Sequence, residues 1–333
     1  MLRTAVIGLG WWGTEVIKRL ANSDRIKVVA GVDVAPDLVR DFMAERDIPL
    51  TGSYEDILEN SEIDAVILTT PNGLHEAQVL AAAAAEKQIF CEKPLTLSAA
   101  GAERMLAACD EKGLKIGIGY ERRYEGAMEE TKRMLDDGEL GTLLHMEFNA
   151  SYNLFAGIEL KGWRHDPKQA PAGTMTALGV HHTDFMQSLA GPAKEIYAVA
   201  ADRSPDYPGN DIVSIAITYE SGVTGSFCTI GTTPFYQRMT VFGDRGWSEI
   251  REVSNVNMPD PAVLTWRGMD EEIHTRTYSP TDTVTQNLHA WADAVAGKAD
   301  YRFTRQEILH NVEILEAIVI SAETGKPRFV RTQ

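Results

Sequence analysis

Residues 4–13 read Thr-Ala-Val-Ile-Gly-Leu-Gly-Trp-Trp-Gly, an apolar run that drops straight into Gly-x-Gly-x-x-Gly. A helical stretch over 14–21 follows at once, so the glycines occupy a strand-to-helix turn. Each glycine answers a separate need. Gly8 permits the tight turn off the strand, Gly10 lets a pyrophosphate approach the backbone, and Gly13 lets the helix pack on the strand. The helix start then offers N–H groups and the positive end of its dipole to phosphate. A second apolar run over 26–32 ends in Asp33, twenty residues past Gly13. That is the spacing of a carboxylate that accepts hydrogen bonds from adenosine ribose hydroxyls. The pattern calls for a βαβ unit that binds a dinucleotide, with Trp11 and Trp12 carried in the binding turn. Hydrogen bonds to a charged group contribute about 1.5–3 kcal/mol each, and the same charge repels a 2′-phosphate. Val34-Ala35-Pro36 bring no arginine to neutralise one. NAD is therefore expected over NADP.

The chain continues in the same alternation. Buried-strand runs over 64–69, 88–91 and 115–119 are separated by helical stretches over 74–86 and from Ser98, a helix cap, to just before Gly113. Strands spaced by helices of that length imply a doubly wound parallel sheet, whose ligands lie beyond the carboxyl ends of the strands. Thr70-Pro71-Asn72 with His75, Glu92-Lys93-Pro94, and Tyr120 to Arg123 all fall there. Near residue 120 the character changes. One helix over 126–137 leads into strand runs over 143–150, 195–201, 212–219, 223–230, 239–242 and 247–249, with a hairpin turn at Ser221-Gly222. A helix over 175–189 interrupts them, and helices over 284–296 and 305–324 close the chain. The fold class is α/β: a Rossmann domain over 1–120, then an α+β domain with a large, mostly antiparallel open sheet over 121–333.

Other classes are excluded by bulk properties. A formal charge of −16 over 333 residues opposes binding to nucleic acid or an anionic membrane, either of which needs a basic face. No apolar run reaches the roughly 18 residues of a spanning helix. The first strand begins too early to leave room for a leader, and the 3 cysteines form neither a disulfide frame nor a zinc pattern. A cytoplasmic protein acting on a small-molecule substrate is expected.

Hydride exchange with NAD requires a group that takes or gives the hydroxyl proton. Lys93 suits that role, since it follows a buried strand, precedes Pro94 and lies at the cofactor end of the sheet. A basic lysine must have its pKa lowered, and a bound oxidised nicotinamide supplies the necessary positive charge; two unit charges 4 Å apart interact by roughly 4 kcal/mol at an effective dielectric of 20. The second cluster is Gly179-Val180-His181-His182-Thr183-Asp184. On a helix His181 and Asp184 share a face, and a carboxylate beside an imidazole raises its basicity. The two histidines and Asp184 lack a further zinc ligand, so no metal is expected. Arg122, Arg123 and Arg164 are candidates to hold a carboxylated substrate or steady the cofactor.

Gly8 to Gly13, Thr70-Pro71-Asn72 with His75, Glu92-Lys93-Pro94, Tyr120 with Arg123, Trp163-Arg164, and Gly179-x-His181-x-x-Asp184 resemble, in order and spacing, the Gfo/Idh/MocA oxidoreductases. The resemblance spans nearly the whole chain. It implies that Lys93 is catalytic with His181, and that Thr70, Pro71, Asn72, His75, Glu92, Lys93 and Arg164 join the glycine turn and Asp33 around the cofactor. It assigns Lys93, Tyr120, Arg123, Trp163, His181, His182 and Asp184 to the substrate, and a homodimer or homotetramer to the second domain's sheet. One departure is present: many dehydrogenases of that family carry an aspartate four residues before the histidine, where this chain has Ala177. The implied activity is interconversion of a secondary alcohol and a ketone on a sugar, sugar derivative or cyclitol. A dihydrodiol dehydrogenase acting on a cyclic diol, carboxylated or not, and a non-catalytic dinucleotide-binding regulator are the alternatives.

Overall fold

The computed structural model describes residues 1–153, 163, 166–204, 210–253 and 260–330. The chain forms two units, Met1–Glu121 with Asp282–Leu309, and Arg122–Thr281 with His310–Gln333.

The first unit is built on β1 (Leu2–Ile7), β2 (Ile26–Val32), β3 (Leu50–Thr51), β4 (Ala65–Leu68), β5 (Gln88–Cys91) and β6 (Ile116–Ile118), joined by α1 (Trp11–Leu20), α2 (Arg40–Ala44), α3 (Tyr54–Glu59), α4 (His75–Ala84) and α5 (Ala99–Glu111). The strands are parallel in the order β3-β2-β1-β4-β5-β6. The strand order reverses between β1 and β4, and a crevice opens at that point beyond their carboxyl ends. β4 is buried along its length, as a sheet covered on both faces requires. Ser98 caps α5 as its position in the sequence suggests, accepting the Gly101 N–H at 3.2 Å.

The second unit carries α6 (Gly126–Asp136), β7 (Leu143–Ser151), α7 (Val180–Ala190), β8 (Ala193–Ala201), β9 (Ile212–Tyr219), β10 (Thr224–Ile230), β11 (Tyr236–Gly243), β12 (Trp247–Glu252), β13 (Ala262–Arg267), β14 (Ile273–Tyr278) and β15 (Arg328–Phe329). These strands form one nine-stranded sheet, order β14-β13-β12-β11-β7-β10-β9-β8-β15, antiparallel except where β7 meets β10. Along β9, Val213, Ile215, Ile217 and Tyr219 are buried and the residues between them are not, the period-two pattern of a sheet with one covered face. The helix expected over 175–189 begins differently: Met175–Gly179 is a π-helical turn that passes into α7. A side chain at Gly179 would put its Cβ 2.2 Å from Met175 Sδ, so only glycine admits that packing.

The closing helices are α8 (Thr283–Val295) and α9 (Arg305–Thr324). The expected second domain over 121–333 is corrected here, because Asp282–Leu309 belongs to the first unit. The reason is packing. Trp291 of α8 is fully buried, its ring edge-on to Phe90 at 5.6 Å and its Nε1 donating to Lys115 O at 3.1 Å. Asn287 adds a bond to Ile118 O at 2.8 Å. Among the described residues no helix is long and apolar enough to cross a membrane.

Candidate active site

The glycine turn has the form a dinucleotide needs. Gly8 sits at φ +91°, a left-handed conformation that favours glycine. Gly13 presses on the turn so closely that a Cβ there would lie 2.1 Å from Gly8 O. Gly10 faces open space, with nothing within 4 Å of a Cβ built on it. Gly10 also precedes α1, whose start has no side-chain cap. That leaves the helix N-terminus suited to an anion. Asp33, at the end of β2, has its carboxylate fixed by two backbone donors: Leu9 N–H to Oδ2 at 2.7 Å and Ala35 N–H to Oδ1 at 2.8 Å. A carboxylate has about four lone-pair sites, so ribose hydroxyls still find acceptors. These residues fit a bound dinucleotide.

The two indoles of the turn part company. Trp11 is exposed, whereas Trp12 turns inward and its Nε1 donates to Glu92 Oε1 at 2.7 Å. Glu92 and Lys93 follow β5, and the Lys93–Pro94 peptide is cis. The Lys93 N–H donates to Glu92 Oε2 at 3.2 Å. Burial pushes the Glu92 carboxyl above the ordinary range, while the Lys93 charge, the Trp12 indole and the Lys93 N–H pull against it.

His75 takes a different place from the one expected. It is wholly buried, Nδ1 lying 3.0 Å from Pro94 O and Nε2 3.0 Å from Thr70 O. It braces the loops after β4 and β5 instead of facing a cofactor. Thr70 in turn donates to Gln78 Oε1 at 2.5 Å, Pro71 O accepts from Leu74 N–H at 2.9 Å, and Asn72 is buried. Tyr120, assigned to the substrate, is buried and packs edge-on against Phe303 at 6.0 Å.

In the second unit three further assignments are corrected. Arg123 and Asp184 hold each other: Nε and Nη2 of the guanidinium each reach a carboxylate oxygen at 2.6 Å, with both side chains buried. Gln187 donates to the same carboxylate at 3.1 Å. His182 lies in the core, edge-on to Phe148 at 6.5 Å and tilted against Phe227 at 5.4 Å. Gln237 directs its amide nitrogen at Glu252 (2.8 Å) and its oxygen at His182 Nε2 (2.6 Å); the reverse would set its oxygen against the Glu252 carboxylate. Burial and then the Arg122 charge lower the His182 pKa to about 3, so the ring is neutral. Arg122 meets Glu252 at 2.8 Å and Glu125 at 3.2 Å. Burial raises the Glu252 pKa, but Arg122 and the hydrogen bonds outweigh it and leave it below the ordinary range. Gln237, Glu125 and Glu252 had no local signal in the sequence. His181 is buried near the start of α7, and Trp163 is half-buried, its carbonyl accepting from Asp166 N–H at 3.2 Å. Arg164 lies outside the described residues.

The sequence matches the description "Oxidoreductase family, NAD-binding Rossmann fold" over residues 2–120 and "GFO/IDH/MocA C-terminal domain" over residues 128–249. The chain belongs to the Gfo/Idh/MocA family. It is an oxidoreductase with a dinucleotide-binding Rossmann unit. D-xylose 1-dehydrogenase (NADP(+)) 2 of Haloferax volcanii is 30% identical, over 82% of each chain. Trans-1,2-dihydrobenzene-1,2-diol dehydrogenase of Sus scrofa is 28% identical, over 71% of this chain and 69% of that one. Among solved structures, aldose-aldose oxidoreductase from Caulobacter crescentus, complexed with glycerol, superimposes with a TM-score of 0.88 at 23% identity. That match covers 98% of this chain and 99% of that one.

Proposed function

We propose that this protein is an NAD-dependent dehydrogenase that interconverts a secondary alcohol and a ketone on a neutral sugar, sugar derivative or cyclitol. The observation that carries the reading is the Trp12–Glu92 bond, which ties the dinucleotide turn to the loop bearing Lys93. Bound NAD supplies the hydride acceptor. Lys93 takes the hydroxyl proton in the oxidative direction, and His181 shares or orients that proton. Arg122 and Arg123 are spent on Glu252, Glu125 and Asp184, which favours an uncharged substrate over a carboxylated diol. The Asp33 charge favours NAD, although the Haloferax volcanii relative is named for NADP(+). We further propose that the enzyme works in the cytoplasm as a homodimer or homotetramer. Its partly exposed sheet residues Tyr197 and Val199 are in keeping with such an interface, and light scattering tests it.

The primary test is absorbance at the reduced-nicotinamide band with NAD or NADP across sugars, cyclitols, sugar acids and cyclic diols. NAD reduction by neutral ring polyols is expected, and Lys93→Ala is expected to lose about 10²–10⁴ in turnover while still binding NAD. Full turnover in that variant removes Lys93 from the chemistry. NAD binding without turnover on any member moves the assignment to a regulator.

A further inference from the structure

Glu92 is an unusual residue to find at this depth. It is 9% exposed, and its carboxylate is held by two donors from different parts of the chain: the Trp12 indole at 2.7 Å and the Lys93 N–H at 3.2 Å. A third element confines it. Gly119 follows β6 so closely against the carboxylate that a Cβ there would lie 2.5 Å from Glu92 Oε2 and 2.8 Å from its Cδ. Gly119 N–H is itself tied to Cys91 O at 3.0 Å, so that backbone is not free to retreat. A buried carboxylate with two N–H donors and a cation beside it is a fixed negative charge, since truncating one partner of such a set leaves the other uncompensated.

We propose that Glu92, clamped between the Trp12 indole and the Lys93 backbone, is the positioning residue that fixes the Lys93 loop to the dinucleotide turn and keeps a negative charge beside the Lys93 ammonium. This rests on the reading of Lys93 as the proton-handling group. Its chemical sense lies in two opposed charges. A carboxylate nearby favours the protonated amine, and the positive ring of oxidised nicotinamide disfavours it. Glu92 is constant, whereas the nicotinamide loses its charge on reduction. Lys93 is thus made a proton acceptor beside the oxidised ring and a donor beside the reduced one. The titratable groups that Glu92 faces are Lys93 and the buried Cys91 thiol. Burial pushes that thiol well above its ordinary range, and it stays neutral throughout.

The experiment is competitive labelling of Lys93 with acetic anhydride in the cofactor-free, full-length protein, followed by mass spectrometry across pH. Glu92→Gln is isosteric and removes the charge, so the labelling midpoint is expected to fall by about one pH unit or more. Trp12→Phe keeps the carboxylate but removes a donor, and is expected to shift the midpoint the same way by less. It also serves if Glu92→Gln fails to fold by circular dichroism. With substrate, the acidic limb of kcat/KM is expected to move with the labelling midpoint. A midpoint unmoved in the folded variants overturns the proposal even if Lys93→Ala abolishes turnover. If Lys93→Ala instead retains full turnover, the catalytic reading fails, and with it the charge-balancing role. The labelling shift then reports the clamp alone.

Discussion

Gly10 and Gly13 are three residues apart in one turn, and the structure assigns them opposite sensitivities to the same added methyl group. At Gly13 a Cβ would meet Gly8 O at 2.1 Å and Thr69 Oγ1 at 2.8 Å. The first of these is backbone in a left-handed turn, and Thr69 Oγ1 already donates to Gly8 O at 2.6 Å, so neither neighbour yields cheaply. Overpacking costs about 1–3 kcal/mol when side chains can give, and the upper end applies here. For a protein of this size that lowers Tm by roughly 4–12 °C. At Gly10 the methyl meets nothing within 4 Å, and φ −63°, ψ −170° is ordinary extended backbone for alanine. Gly10→Ala is expected to hold or slightly raise Tm, because alanine restricts the unfolded chain by about 0.4–1 kcal/mol.

The cofactor reverses the ranking. The open space at Gly10 is where the pyrophosphate approaches the backbone, and a methyl there stands it off. A tenfold rise in the Kd for NAD, about 1.4 kcal/mol, is the minimum expected for Gly10→Ala. Thermal melting with and without NAD, together with calorimetric titration, separates the two effects. A Gly10→Ala protein that binds NAD as tightly as wild type refutes the assignment of the turn, and a Gly13→Ala protein that melts unchanged refutes the packing argument.

Three other outcomes follow from the same geometry. Asp184→Asn leaves the Arg123 guanidinium buried without its carboxylate and is expected to cost about 3–5 kcal/mol in urea unfolding; a loss below about 1 kcal/mol contradicts the burial of the pair. His182 is held neutral with a pKa lowered from 6.5 to about 3. Below pH 6.5 the unfolded chain therefore binds the extra proton, and stability that is whole above that pH is lost towards pH 3, by about 1.4 kcal/mol per unit from this residue. His182→Gln is expected to flatten the difference in stability between pH 6.5 and 5, measured against wild type so that other histidines cancel; parallel curves rule it out. Asp33→Ser is expected to raise kcat/KM with NADP relative to NAD by at least tenfold, and an unchanged ratio in the coupled absorbance assay means another residue reads the ribose.

The parallel sheet could be read from the chain because its signals are local. Apolar runs of strand length alternate with helices, and turn glycines and the Ser98 cap mark their ends. The nine-stranded sheet was visible where burial imposes a period of two, as along β9. The outer hairpin of β13 and β14 went unread because it lacks that constraint: β14 is exposed along most of its length. The return of α8 to the first unit also has no local mark. Trp291 and Asn287 look like the inner face of any amphipathic helix, and only their partners on β5 and around β6 show which core they complete.

The same limit shaped the site. Backbone-determined parts were legible, since a glycine turn and an acid at the end of a strand depend on neighbours along the chain. Side-chain roles were not, because a polar residue at the right edge of a sheet is satisfied equally well by a ligand or by another part of the protein. Arg123 finds Asp184 at a separation of 61 residues, His182 finds Gln237 at 55, and Arg122 finds Glu252 at 130. Each pairing turned an expected substrate contact into scaffold. Trp12 and Glu92 are 80 residues apart, and there the distant partner does the reverse: it links the turn that the sequence marks for the dinucleotide to the lysine that the sequence marks for the proton.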